Sequence, residues 1–329
     1  MSFVNASKLK LALARGRLRA AMIAALLTAG VLAASAAATG SPVPNGSKHY
    51  SFRTFNNPRD LTFNQLLGIN SRGTIAGYFG SGAPGHPNKG YLLTHFGRGR
   101  YINENFPGSL QTQVTGLNDH GVTVGFWANK AGANFGFYAI HQRNFTNADF
   151  PTKNHSKPPV DQLLGVNNRD VAVGFYNDSM GNSHGYTYNI AKHRFRRVLV
   201  PGATSVTAAA INNAGDIAGF DTNAKGAVVG FLKTSSGHLI TLSVPGASMT
   251  QAFGVNDGDM VVGGYQVGTG SSAKMYGFTW APGVGFRSIS DPSGVGTTTV
   301  NGLNNRGWLV GFYVDSKGNT DGFVAKPRH

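Results

Sequence analysis

The sequence predicts an all-β fold: a six-bladed β-propeller of four-stranded antiparallel blades, closed by an N-terminal strand. Three observations predict it. A motif of about twelve residues recurs six times, at intervals of 44–49 residues. Each copy carries four short strand patterns and no convincing helical periodicity. The sixth copy lacks a fourth strand of its own, and that pattern stands instead near the front of the chain.

Residues 1–38 read as a signal peptide. Lys8, Lys10, Arg15, Arg17 and Arg19 precede an apolar run from Ala20 to Ala38, which ends in Ala34-Ser35-Ala36-Ala37-Ala38. A positive flank, an apolar core and a small-residue exit are the parts of a secretory signal. Cleavage is expected after Ala36 or Ala38. This stretch holds five of the 29 Lys and Arg and none of the 14 acids, so the remainder carries +10 rather than +15. Residues 39–48, TGSPVPNGSK, lack apolar periodicity and are expected to form a flexible lead-in. The propeller follows over 49–329. A secreted or periplasmic monomer is expected, with no membrane span after cleavage.

The six motif copies share Asn70, Asn118, Asn167, Asn212, Asn256 and Asn304. Seven places later stands Gly77, Gly125, Gly174, Gly219, Gly263 or Gly311. A Gly-aromatic pair follows 18–21 residues after each Asn, as in Gly90-Tyr91 and Gly277-Phe278. In the fifth copy the strands are expected near 250–256, 260–266, 275–281 and 285–290. Asn, Asp and Gly between the first two strands tolerate left-handed backbone angles, so a tight hairpin turn is expected there. The second strand is apolar on both faces. Place eight after the Asn is Tyr78, Phe126, Phe175, Phe220, Gly264 or Phe312, and place nine is Phe79, Trp127, Tyr176, Asp221, Tyr265 or Tyr313. A strand apolar on both faces must be covered on both, which stacked blades achieve. The glycine at place seven is read as a dent for a ring of the neighbouring blade.

Closure follows from a third anchor, a ring or Leu six residues before a Pro. It occurs as Tyr101/Pro107, Phe145/Pro151, Phe195/Pro201, Leu239/Pro245 and Phe286/Pro292, and the remaining copy is Phe52/Pro58. The strand near 50–56 is therefore expected to complete the blade built from about 298–326.

The motif, its Gly-aromatic partner and the endings Pro201-Gly202-Ala203 and Pro245-Gly246-Ala247 resemble bacterial extracellular repeat proteins of the HAF family. Asp178–Gly185 and Asp315–Gly322 resemble that family's second hairpin, with His184 before the Gly-aromatic pair. The resemblance implies secretion and a propeller-like fold. It implies no catalytic residues.

Composition narrows the chemistry. Without Cys there is no disulfide scaffold, thiolate metal site or cysteine nucleophile. Glu104 is the only glutamate, so a paired-carboxylate mechanism would need aspartates. Asp119, Asp170, Asp257 and Asp259 fall in the Asn turns, where Asp has a local structural reason to be. Asp178 and Asp315 begin Gly-Asn hairpin turns rather than calcium loops, which need a longer ligand series. The histidines show no metal-ligand spacing, and no cofactor is expected. The densest basic stretch is Lys192, His193, Arg194, Arg196 and Arg197, on a fourth strand; Arg98 and Arg100 occupy the matching place in the first copy. Such groups attract acidic polysaccharide or a surface protein, or else discourage edge pairing. Nucleic acid is not expected as a partner. The loops 80–88, 128–134, 177–183, 222–228, 267–274 and 315–320 differ most between copies. The sequence thus reads as a non-enzymatic binding or scaffold module. An extracellular polysaccharide hydrolase or lyase, using aspartates in the axial channel, is the alternative.

Overall fold

The computed structural model describes residues 43–94 and 99–328. The expected signal peptide and residues 39–42 lie outside the described residues. Strand β1 (Tyr50–Thr54) comes first. The first blade is β2 (Asn64–Ile69), β3 (Ile75–Phe79), β4 (Lys89–Thr94) and β5 (Arg100–Asn103). The second is β6 (Gln111–Leu117), β7 (Val122–Ala128), β8 (Asn134–Ile140) and β9 (Arg143–Asn147). The third is β10 (Asp161–Val166), β11 (Val171–Asn177), β12 (Ser183–Asn189) and β13 (Arg194–Arg197). The fourth is β14 (Ala203–Ile211), β15 (Ile217–Asn223), β16 (Val228–Lys233) and β17 (Leu239–Leu242). The fifth is β18 (Met249–Val255), β19 (Val261–Val267), β20 (Lys274–Ala281) and β21 (Gly285–Ile289). The last blade has β22 (Thr298–Leu303), β23 (Leu309–Val314) and β24 (Thr320–Pro327), and takes β1 as its outer strand. Among the described residues no helix is long and apolar enough to cross a membrane.

The ring closes as the displaced anchor requires. Strand β1 pairs antiparallel with β24, from Tyr50 opposite Pro327 to Thr54 opposite Phe323, and the rings of Phe52 and Phe323 lie 5.6 Å apart. Each blade's second strand packs on the next blade's first, from β3 on β6 round to β23 on β2. One core cluster accordingly joins Val310 and Val324 of the last blade to Leu66 and Ile75 of the first. The lead-in behaves differently from a flexible tether in its described part, 43–48. Asn45 forms a parallel bridge to Ser288 of β21, Gly46 N–H donates to the Ser288 carbonyl at 2.8 Å, and Ser288 N–H donates to that of Pro44 at 2.8 Å. The segment thereby covers the outer edge of the fifth blade, whose backbone groups an edge strand leaves open.

The glycine at place seven has a different cause from the one expected. A Cβ on Gly263 would stand 1.9 Å from the Gln251 carbonyl oxygen and 2.7 Å from the ring of Phe278. Both belong to its own blade, and Phe278 is its cross-strand partner on β20. Every first strand carries a register shift three residues before the Asn, between Ala252 and Gly254 in this blade. That bulge drives a carbonyl toward the second strand. The glycine makes room for it, and the third-strand ring covers the bare backbone. The Gly-aromatic pair and the place-seven glycine are therefore one device.

Candidate functional site

The six shared asparagines encircle the axis at the turns between first and second strands. In each turn the Asn Oδ1 accepts two backbone N–H groups of its own loop, as Asn118 does from His120 and Val122. Its Nδ2 donates across to the backbone carbonyl of the next blade's Asn. These links run Asn70 to Asn118, to Asn167, to Asn212, to Asn256, to Asn304 and back to Asn70, at 2.9–3.3 Å. The left-handed residue of the turn is three places later: Gly73, Gly121, Asp170, Gly215, Asp259 or Gly307. Asn is thus required for its two-sided amide, which caps one turn and staples another.

A second polar ring stands beside it, made of Ser71, Asp119, Asn168, Asn213, Asp257 and Asn305. Asp119 Oδ1 accepts from Ser71 N–H at 3.0 Å and from Ser71 Oγ at 2.6 Å, and Asp119 Oδ2 accepts from Asn168 Nδ2 at 2.8 Å. Asp257 accepts from the Asn213 backbone at 2.8 Å, Asn213 Nδ2 at 2.9 Å and Asn305 Nδ2 at 2.7 Å. These two aspartates sit on the second and fifth blades, opposite one another in a six-membered ring. Burial pulls the Asp119 carboxyl upward, but bonds from Ser71 and Asn168 and the charge of Arg72 outweigh it, leaving it below the usual range. Asp257 is likewise raised by burial, then carried lower overall by bonds from Asn213 and Asn305 against the opposing charge of Asp119. Both are carboxylates at neutral pH.

Below this rim lies an axial well of about 170 Å³, with Leu67, Leu164, Phe220 and Phe253 among its lining residues. Its walls include the bulged first-strand residues. The polar ones, Thr115 and Asn301, turn to the next blade's backbone, at Leu163 and Leu66 respectively. The arrangement is an apolar socket under a ring of amides and two opposed anions.

The basic residues singled out in sequence are not one cluster. Lys192, His193, Arg194, Arg196 and Arg197 are exposed on or beside β13, the outer strand of the third blade. Arg197 Nη2 lies 2.8 Å from His184 Nδ1, and His184 Nε2 lies 2.9 Å from Asp178 Oδ2. Arg100 is exposed at the start of β5, with the second blade between it and β13; Arg98 lies outside the described residues. Among the described residues no outer strand contains an acid, whereas Arg occurs on five of the six: β1, β5, β9, β13 and β21. Asp178 and Asp315 each accept two backbone N–H bonds within their own hairpin, as turn residues do. Among the described residues no group of three or more His, Asp or Glu is placed to hold a metal ion.

Three carboxyls away from the axis have a burial that the sequence does not signal. Burial pushes Asp161 up to about 8, against bonds from Tyr186 and the Phe150 backbone and with the charge of Asp149 nearby. Burial also takes Asp149 to about 6. Asp161 caps the chain just before Pro151, bonding Phe150 N–H at 2.7 Å; Thr112, Thr250 and Thr298 do the same in other blades, so the role is structural. Glu104 is 1% exposed in a slot that other blades fill with Phe55, Ala148, Val198, Leu242 or Ile289. Burial raises it to about 7 despite the Thr123 hydroxyl bonded to Oε1. Its folded pKa thus exceeds its unfolded one, so folding weakens as pH climbs from about 4 through 7. Glu104→Leu is expected to remove that slope. Urea unfolding should show the variant gaining roughly 3 kcal/mol on the wild type between pH 4 and pH 8. A gap that stays constant with pH would show that Glu104 is not the titrating group.

No family model matches the chain and no curated protein matches it, so the resemblance to HAF repeat proteins rests on the repeat residues alone. Solved structures do match. AofleA from Arthrobotrys oligospora is 11% identical, with 86% of this chain and 90% of that one covered and a TM-score of 0.52. The fungal six-bladed lectin of Aleuria aurantia, described with a fucose recognition mode, is 10% identical over 86% and 93%, with a TM-score of 0.49. Virginiamycin B lyase from Staphylococcus aureus is 9% identical over 84% and 99%, with a TM-score of 0.46. At these identities the likeness is one of fold. The chain is a six-bladed β-propeller with a socketed axial mouth and a basic outer girdle.

Proposed function

We propose that the protein is an exported, non-enzymatic binding module for an acidic polysaccharide. The observation that carries this reading is the placement of charge: Arg on five outer strands with no acid on any, while Asp119 and Asp257 stand at the axial turns. A polyanion follows the girdle, with Lys192, Arg194 and Arg196 as its exposed contacts. Glycoside hydrolysis by two carboxyls needs one protonated and one ionised. Asp119 and Asp257 are both held low, so this pair does not divide the acid and base roles, which favours binding over hydrolysis by it.

Affinity electrophoresis through gels containing polygalacturonate should retard the protein at low salt, without products. The double change Arg194→Ala/Arg196→Ala should weaken retention several-fold, and raising the salt should abolish it. Retention unaffected by either would contradict the girdle. Product release that disappears in Asp119→Asn/Asp257→Asn would favour the enzymatic alternative.

A further inference from the structure

We propose that a cleft between the second and third blades, on the face opposite the Asn turns, is the subsite for one acidic sugar unit. The proposal rests on the polysaccharide reading and gives it a place. The cleft holds about 520 Å³ and has no Asp or Glu among the described residues that line it. Three of those residues are amides whose oxygens are already used inside the protein. Gln111 Oε1 accepts from Asn88 N–H at 3.4 Å, Asn129 Oδ1 from Ala131 and Ala133 N–H at 2.9 and 3.1 Å, and Asn177 Oδ1 from Ser183 Oγ at 2.9 Å. Their NH2 groups are left as donors. Lys130 and Lys157, both exposed, add two cations to the same lining.

A surface rich in donors and free of acids selects a ligand rich in acceptors and negatively charged. Two acceptors break the pattern. Asn134 donates its Nδ2 to the Gly132 carbonyl at 3.1 Å, which leaves its Oδ1. Gln113 is 2% exposed, and its Nε2 donates to Asn88 Oδ1 at 2.9 Å, while its Oε1 is buried without a partner. Gln65, Gln162 and Gln251 stand at the same place in other blades with the same unpartnered Oε1, so this acceptor belongs to the repeat. The acceptor left for a ligand hydroxyl is instead Asn134 Oδ1 in the lining. The exposed Leu110 and the half-buried Pro158 give the apolar surface that a sugar face covers. Carboxylate, hydroxyl and a flat apolar face together describe a uronic acid. The loops involved, 128–134 and 177–183, are among those that differ most between copies.

The test is calorimetry with galacturonate trisaccharide, its carboxyl-reduced form and a neutral dextran trisaccharide. The acid trisaccharide is expected to bind, and the two neutral ones at least tenfold more weakly. Lys130→Ala/Lys157→Ala should cost tenfold or more, whereas Lys225→Ala/Lys317→Ala, exposed lysines of the fourth and last blades outside the cleft, should leave this short ligand within twofold. Equal binding of the carboxyl-reduced form would overturn the subsite. So would loss in Arg194→Ala/Arg196→Ala with none in the cleft variant, although polymer binding would then survive as the function. Failure of both trisaccharide and polygalacturonate to bind would overturn the subsite and the proposed function together.

Discussion

Deleting residues 43–56 is expected to leave a chain that does not fold to a stable monomer. Strand β1 supplies the fourth strand of the last blade, and its loss would strip five register pairs from β24. It would also remove the bond from Phe55 N–H to the Gly322 carbonyl at 2.7 Å, and that between Thr54 Oγ1 and the Tyr313 hydroxyl at 2.8 Å. Asn56, which bonds Asp321 at 2.6 Å and receives the Tyr101 hydroxyl at 2.8 Å, ties the last blade to the first. Burying Tyr50 and Phe55 contributes about 2 kcal/mol each, and each ladder bond about 1 kcal/mol net. Their sum, near 10 kcal/mol, matches the whole stability of an ordinary domain. The exposed edge of β24 would then invite pairing between molecules. A permutant separates this from a merely local effect. Arg328 N–H already donates to the His49 carbonyl at 2.8 Å, so a short turn can join 328 to 49. A chain starting at 59, with 49–58 appended after 328, should regain cooperative thermal unfolding. A truncated chain that melts like the intact one would show that β1 does not hold the ring shut.

The second large effect is expected at Gly263. An added methyl would stand 1.9 Å from a backbone oxygen, and that oxygen sits in the innermost strand, hemmed by the blades around the axis. No side-chain rotation relieves such a clash. Relief means unmaking the bulge or parting β18 from β19, so Gly263→Ala should cost more than about 3 kcal/mol. Gly258, in the turn just before, is the control. A Cβ there meets only Asn256 Oδ1, at 3.6 Å, so Gly258→Ala should change stability by less than about 0.5 kcal/mol. Equal denaturation midpoints for the two variants would show that the bulge is not rigid.

Much of the architecture was legible because its signals are local and repeated. Alternation along a strand and Asn-Gly turn chemistry act within a few residues, and six copies let one pattern be read six times. The displaced Phe52/Pro58 anchor even revealed the closure, since a missing outer strand must be found elsewhere in the chain. The site was less legible. Asn70 and its equivalents could be seen as turn residues, but their second bond goes to a partner 44–49 residues away, or 234 for Asn304. The bulge beside Gly263 leaves no mark in composition. The burial of Glu104 looked like any charge at the end of a strand, because the apolar slot around it is built by two blades.

Thus the amino-acid order alone determined the repeat, the strand count per blade and which end of the chain completes the ring, because each follows from short-range periodicity and turn propensity. Only the tertiary structure decided how the turns are stapled, why place seven must be glycine, which aspartates face one another across the axis and where donors gather without acids. Those properties arise between blades, where residues far apart in sequence meet at fixed height around a common axis, and no local pattern encodes that meeting.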